Sequence, residues 1–322
     1  MIGESQVPEG ARSHREGAPP SCAACGETKL RPAMHVRGEA GPAGLIPTTK
    51  AYGTALGDIV RCGSCGHMQL DRPPLAAALE SAYAAAASQA YVDEETGQRA
   101  SFRRLLERIE RYAPRGSLLD VGCWTGFLLA EARDRGWQTC LGIEPSRFAS
   151  SFAREQLGLD VRTEELLAAE LPRGHFDVVV MGDVLEHLSD PHAALQRVRE
   201  LLRAGGLLGL ALPDAGSRVA RLLGRRWWSV IPTHVHYFTR RSAATMVSRH
   251  GFAPIYIDTD PKSFTVGYYL DKGSGYLPAL SGALVAGAER LGLAERIWTP
   301  DFGDRMLLLA RRDNGTQAPG AR

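Results

Sequence analysis

The sequence predicts an α/β protein with a parallel sheet between two helical layers, preceded by a small cysteine-rich module. The apolar run over residues 118–121 breaks at Gly122 and Gly126, and a helical pattern follows. A strand, a glycine turn and a helix form the start of a nucleotide-binding α/β unit. Upstream, two matching Cys-x-x-Cys-Gly pairs have the spacing of metal-binding knuckles.

Strands and helices continue to alternate after this first unit. Glu144 ends the second predicted strand and lies 24 positions after Asp120, where an acid binds ribose hydroxyls in such folds. The fourth strand is almost entirely apolar, which indicates burial on both faces. The remaining predicted elements are strands over 138–143, 159–162, 176–181 and 207–212, a helix over 146–157, and a helix that starts after Asp190-Pro191 and ends at Gly205-Gly206.

Five ordered motifs resemble those of class I S-adenosylmethionine-dependent methyltransferases. They are Asp120-Val-Gly-Cys-Trp-Thr-Gly126, Gly142-Ile-Glu-Pro145, Phe176-Asp-Val-Val178, Asp183-Val-Leu-Glu-His-Leu188 and Leu202-Arg-Ala-Gly-Gly206. The resemblance covers roughly residues 100–312 and implies a Rossmann-like sheet of seven strands, one of them antiparallel. Residues 305–311 would form the last strand.

The same resemblance implies S-adenosylmethionine as the cofactor. Gly122, Cys123 and Gly126 would flank its methionine part, Glu144 would bind the ribose, and Glu164 or Glu165 would lie near the adenine. The full predicted set is Asp120, Gly122, Cys123, Gly126, Glu144, Pro145, Glu164 and Asp183. Trp124 stands where the family has its middle glycine. It would narrow the pocket, line the substrate side, or mark a loss of cofactor binding.

The paired cysteines predict one closed structural zinc site. Its ligands would be Cys22, Cys25, Cys62 and Cys65. The 36 residues between the pairs exceed the usual zinc-ribbon spacing, and the glycine- and proline-rich stretch Gly38 to Pro47 predicts a loop at the fingertip. A disulfide or a redox Cys-x-x-Cys explains two matched knuckles less well. Cys123 and Cys140 are expected to be ordinary buried or loop cysteines.

The resemblance, the cysteine pairs and the composition together imply an organisation in five parts. These are a disordered tail over 1–20, a zinc ribbon over 21–74, a helical connector over 75–99, the methyltransferase domain over 100–312 and a disordered tail over 313–322. No apolar run reaches the ~18 residues that span a bilayer, and the first 20 residues lack a signal-peptide core. We therefore expect a cytoplasmic protein. Its oligomeric state stays open.

Three histidines are candidates for the catalytic base. A hydroxyl acceptor must lose its proton, and the pKa of histidine suits that task near neutral pH. His234 and His236 lie in an aromatic segment over residues 227–238, which resembles a Trp-Trp…Pro-x-His-x-x-x-Phe stretch of bacterial methyltransferases with an N-terminal zinc ribbon. His234 is the first choice and His187 the second. The alternatives are that Glu186-His187 only caps or packs, that the tryptophans are core, and that His236 faces solvent.

Several functions remain open at this stage. Asp183, Glu186 and His187 resemble the acid-acid-histidine cluster of quinone-biosynthesis O-methyltransferases, which implies a divalent cation. The main prediction is methyl transfer to a small molecule, with a hydroxyl as acceptor, in bacterial specialised or cell-surface metabolism. RNA methylation would use a basic cluster, although the net charge is only +2. A non-catalytic zinc scaffold is the third reading. The basic cluster comprises Arg218, Arg221, Arg225, Arg226, Arg240 and Arg241.

Overall fold

The structure is a computed structural model. It describes residues 21–36, 52–72, 79, 81, 83–276 and 278–313. The predicted tail over 1–20, the fingertip loop and nearly all of the predicted tail over 313–322 lie outside these residues, as does part of the connector.

Strands and helices alternate along most of the described chain. The strands are β1 (Leu30–Met34), β2 (Ile59–Cys62), β3 (Met68–Leu70), β4 (Ser117–Val121), β5 (Thr139–Ile143), β6 (Asp160–Arg162), β7 (Phe176–Gly182), β8 (Leu202–Pro213), β9 (His236–Tyr237), β10 (Phe252–Thr259), β11 (Phe264–Thr265), β12 (Ile297–Trp298) and β13 (Arg305–Arg312). The helices are α1 (Gln89–Val92), α2 (Glu95–Ile109), α3 (Phe127–Asp134), α4 (Arg147–Glu155), α5 (Pro191–Leu201), α6 (Arg218–Leu223), α7 (Arg240–Arg249), α8 (Val266–Lys272) and α9 (Pro278–Arg290).

The central sheet has seven strands in the order β10-β13-β8-β7-β4-β5-β6. Strands β4 to β8 are parallel, and β13 runs antiparallel to both of its neighbours, β8 and β10. This confirms the predicted seven-stranded methyltransferase sheet. Two buried apolar clusters cover its two faces, which accounts for the nearly continuous apolar sequence of β7.

Most element boundaries lie within a few residues of the predictions, but β8 differs. The glycine pair at 205–206 suggested the end of a helix, whereas α5 ends at Leu201 and β8 begins at once. Phe176 pairs with Leu202 and Val178 with Leu207, so the extra residues form an irregularity in the ladder. Gly205 has a φ of +70° there, a conformation that glycine adopts without strain. The two glycines therefore lie in a bulge of β8 and do not mark the end of α5.

A second sheet joins the cysteine module to the rest of the chain. Its order is β1-β2-β3-β9, and β9 belongs to the segment that follows β8. Met68 pairs with Tyr237 and Gln69 with His236 in this antiparallel ladder. The module is therefore integrated into the methyltransferase domain. Across the residues that the structure describes, helices are all too short or too polar to cross a membrane.

Candidate active site

The four cysteines of the two knuckles converge on one point. Their sulfur atoms all lie within 4.8 Å of one another. Cys22 and Cys65 are 3.5 Å apart, as are Cys25 and Cys62. A disulfide would bring two sulfurs to about 2.0 Å, whereas Zn–S bonds of about 2.3 Å in a tetrahedron separate sulfurs by about 3.8 Å. The donor set and its spacing therefore fit a zinc ion.

A cavity of about 660 Å³ lies at the carboxyl ends of the parallel strands, where α/β sheets bind ligands. The predicted cofactor residues occupy one end of it, which we call the donor end. Its wall includes Asp120, Gly122, Cys123, Glu144, Pro145, Glu164 and Asp183. Consecutive elements supply most of these residues, since β4, β5 and β6 each end there.

Glu144 ties the glycine turn to the second strand. One carboxylate oxygen accepts the Ser146 amide at 2.8 Å, and the other accepts the Trp124 amide at 2.9 Å. Burial raises the pKa of Glu144 to about 7. Asp120 is also buried, and its pKa is raised by that burial and by the charge of Glu144. The donor end thus holds two buried carboxyl groups. Each can either bind a proton or accept a hydrogen bond from a ligand hydroxyl.

The two glycines of the turn have different roles. Gly122 has a φ of +67° and lines the cavity, and a Cβ there would lie 2.6 Å from Val184. Gly126 has a φ of +79°, and its Cβ would lie 2.6 Å from Leu159 and 3.1 Å from Ala153. Gly126 is not among the cavity-lining residues. It permits close packing of α3 against Leu159 and Ala153, and its expected contact with the cofactor stays a prediction.

Trp124 adopts a left-handed conformation, with a φ of +48°, that is unusual for a large residue. Its side chain lines the cavity and meets Tyr91 edge-on at 5.8 Å between ring centroids. The indole Nε1 is buried and has no hydrogen-bond partner among the described residues. The turn therefore keeps its shape without the middle glycine, and the indole forms part of the wall.

Asp183 is held by two cations that the sequence did not suggest. Its carboxylate forms ion pairs with Lys262 and with Arg305, the latter at 2.5 Å. Burial acts to raise the pKa of Asp183, but the charges of Arg305 and Lys262 outweigh it and hold that pKa below its usual value. Asp183 thus departs from the expected acid-acid-histidine cluster. No sequence motif marks Lys262 or Arg305.

His187 and His234 meet in a second part of the cavity wall, which we call the acceptor end. Their rings are edge-to-face with centroids 4.5 Å apart, and both line the cavity. Nδ1 of His187 lies 2.9 Å from the Thr233 carbonyl oxygen and 2.5 Å from the Tyr83 hydroxyl. Because a carbonyl oxygen only accepts, Nδ1 carries the proton and Nε2 keeps its lone pair.

The electrostatics of this end favour neutral histidines. Burial lowers the pKa of His187 to about 4, and burial and the neighbouring His187 lower that of His234 well below its ordinary value. Glu186 lies behind them, 1% exposed, and its oxygens have no hydrogen-bond partner among the described residues. Burial and the charge of Asp183 raise its pKa to about 8. Ligand atoms of Glu186, His187 and His234 lie within 4.8 Å of one another.

The aromatic segment over 227–238 divides between core and cavity. Trp227 is fully buried and donates from Nε1 to Asp304 at 3.0 Å. Trp228 lines the cavity and contacts Phe302. His236 is buried, with Nδ1 3.3 Å from Nε2 of His67, so it faces the cysteine module and not solvent.

Aromatic rings line a large part of the cavity. Apart from Trp228, sequence reasoning did not find them, although the density of rings after residue 264 was a usable signal. Trp298 and Phe302 at the mouth are 48% and 45% exposed, which is unusual for such large apolar side chains. These rings include Tyr52, Trp228, Phe264, Tyr268, Tyr269, Tyr276, Trp298 and Phe302.

Comparisons with known proteins found both sequence relatives and solved structures that are similar to this chain. A ubiquinone biosynthesis O-methyltransferase of Cereibacter sphaeroides is 30% identical over 160 residues, which cover 43% of this chain and 64% of that protein. One from Xanthomonas campestris is 40% identical over 105 residues, covering 30% and 43%. The chain thus spans less than two thirds of the length of these relatives. A solved methyltransferase structure from Thermotoga maritima is 16% identical, covers 68% of this chain and 91% of that one, and has a TM-score of 0.45.

The family comparison covers more of the chain than the individual relatives do. The family described as "Methyltransferase domain" matches residues 95–257, just over half of the 322 residues. The matched region contains the glycine turn, Glu144 and both cavity histidines. The chain therefore belongs to the methyltransferase domain family.

Proposed function

We propose that this protein transfers a methyl group from S-adenosylmethionine to a hydroxyl of a small, ring-bearing molecule. One observation carries the proposal. A single cavity is lined by the glycine turn and Glu144, which suit a nucleoside, by two neutral histidines and by many aromatic rings. The relatives named as O-methyltransferases support oxygen as the acceptor atom. Carbon and nitrogen acceptors share this scaffold and are the outcomes that product analysis would distinguish.

The donor end fits the proposed cofactor. Gly122 leaves room for close approach of a ligand to the backbone, and Glu144 offers carboxylate oxygens for ribose hydroxyls, in exchange for its present amide partners. Pro145 and Glu164 continue the same wall. When bound, the sulfonium supplies an activated methyl group, so the chain itself needs only to align the acceptor and remove a proton.

The acceptor end fits the removal of that proton. His234 and His187 are neutral. Each has one ring nitrogen that makes no backbone contact, and this nitrogen can accept a proton. We assign His234 as the first base and His187 as the second, because both line the cavity and the ring of His234 packs against the rings of His187 and Tyr237. The wall of rings would hold a flat or apolar acceptor by stacking.

A second route for the proton is a bound divalent cation. The Glu186 carboxylate has no hydrogen-bond partner among the residues that the structure describes, and together with His187 and His234 it forms a compact group of ligand atoms. A cation held there would lower the pKa of an acceptor hydroxyl directly. Loss of turnover on chelation, restored by Mg²⁺, would identify this route. Turnover that resists chelation would favour the histidine base.

Structural zinc at the four cysteines is part of the proposal. So is a role in bacterial specialised or cell-surface metabolism, which rests on the resemblance of the 227–238 segment. A cytoplasmic location stays a prediction. RNA is the less favoured substrate, since the exposed Arg218, Arg221, Arg225 and Arg226 lie outside the cavity wall.

Isothermal calorimetry with S-adenosylmethionine and its demethylated product tests the proposal directly. We expect micromolar dissociation constants, about −8 kcal/mol. Glu144→Ala should weaken binding of both ligands, and Glu164→Ala should have a smaller effect because that side chain is more exposed. Absence of detectable binding by the purified wild-type protein would contradict the enzyme proposal.

A further inference from the structure

We propose that the cysteine module positions the histidine-bearing segment of the acceptor end, and that Gln69 is the positioning residue that connects them. The inference deepens the proposed function and rests on it for the role of His234. The module would then act on catalysis without supplying a reacting group.

The segment around His234 is held from two sides. Within the methyltransferase domain, the Val235 amide donates to the Glu186 carbonyl oxygen at 2.9 Å. From the cysteine module, the Leu70 amide donates to the Val235 carbonyl oxygen at 3.0 Å. Val235 directly follows His234, so both supports act one residue from the proposed base. Every residue from 231 to 238 is buried.

Gln69 links this ladder to the first cysteine pair. Its backbone pairs with His236 in the β3–β9 ladder. Its side-chain oxygen accepts the Ala23 amide at 2.8 Å, and its side-chain nitrogen donates to the Ser21 carbonyl oxygen at 3.2 Å. Ala23 lies between Cys22 and Cys25. A single side chain therefore connects the first knuckle to the strand that follows His234.

Two further contacts reinforce the connection. The Thr239 hydroxyl, which caps α7, donates to the Cys65 carbonyl oxygen at 3.3 Å. His67 stacks on His236, with ring centroids 5.4 Å apart. Neither Gln69 nor His67 lines the cavity. Their influence on an acceptor must therefore pass through the segment.

Hydrogen–deuterium exchange on Gln69→Leu tests this connection. Leucine keeps the volume but leaves the Ala23 amide without an acceptor. We expect amides in 232–239 to exchange about tenfold faster or more, with residues 118–126 unchanged. Gln69→Glu keeps an acceptor for Ala23 and should stay within about threefold of wild type. Gln156→Leu, an exposed position after α4, is the matched control.

The same variants give a functional readout. Zinc content and the dissociation constant for S-adenosylmethionine should be unchanged in Gln69→Leu, while kcat falls and Gln69→Glu recovers it. Wild-type exchange over 232–239 in Gln69→Leu would overturn the inference, as would equal opening of 118–126. If S-adenosylmethionine fails to bind wild-type protein, the proposed function fails, while the exchange data still decide whether the module holds the segment.

Discussion

Consecutive elements build the donor end of the cavity, whereas the acceptor end collects side chains from distant parts of the chain. Gly122, Glu144 and Glu164 follow three successive strands, and neighbouring backbone amides fix Glu144. The acceptor end draws on positions as far apart as Tyr83 and His234, both of which contact His187. The donor end therefore depends on local folding, whereas the acceptor end depends on the whole topology, including the pairing of β9 with β3 of the cysteine module.

Removing the metal ligands of the cysteine module, on which only the acceptor end is proposed to depend, should give the largest effect, a loss of bound zinc. We expect one zinc per wild-type chain and almost none in the Cys62→Ser/Cys65→Ser double variant, because structural zinc contributes about 10–16 kcal/mol in small zinc modules. Elemental analysis measures this, and a Cys140→Ser variant is the matched control. Equal zinc in wild type and double variant would place any metal elsewhere.

Replacing the proposed base should affect the acceptor end alone. His234→Ala should slow turnover by ~10²–10⁴-fold, the usual cost of losing a general base, while affinity for S-adenosylmethionine stays near normal. Steady-state kinetics and calorimetry measure the two quantities. His175→Ala is the control, since that exposed histidine lies at the opposite edge of the sheet. If only His187→Ala slows turnover, the two roles are exchanged. If neither does, both histidines are structural.

Changing pH should affect the donor end through Glu144. With its pKa raised to about 7 by burial, this carboxylate is mostly ionised at pH 8 and mostly protonated at pH 6. Ribose hydroxyls need the ionised form as acceptor, so the dissociation constant should rise about tenfold from pH 8 to pH 6. Calorimetry at both values measures it. Glu144→Gln should bind weakly at both, and a pH dependence that survives in this variant would assign the proton to another group, such as Asp120.

Restoring the family's glycine should have the smallest effect. Trp124→Gly removes a strained left-handed residue, a strain of about 1–3 kcal/mol, but it also loosens the turn and removes an indole from the wall. We expect the dissociation constant for S-adenosylmethionine to change by less than about fivefold, and KM for the acceptor to rise. A much tighter cofactor complex would show instead that the indole blocks the donor end.

Sequence reasoning succeeded where the chemistry lies in short segments. The glycine turn, the alternation of strands and helices, and the cysteine pairs are local patterns with a fixed relation to their folds. Lys262 and Arg305 could not be found in this way, because only the placement of β13 beside β8 brings Arg305 to Asp183. The two-residue strand β9 is too short to give a periodic pattern, so its pairing with the cysteine module had no sequence signal.

The position of β13 has a consequence for how the chain reaches its native state. This strand comes last of the thirteen described, yet it lies in the interior of the sheet, between β8 and β10. Until residues 305–312 are available, β8 presents the apolar run Leu207–Leu212 as an unpaired edge. A nascent or truncated chain that lacks β13 thus exposes a surface prone to aggregation. Completion of the sheet must await the synthesis of one of its interior strands.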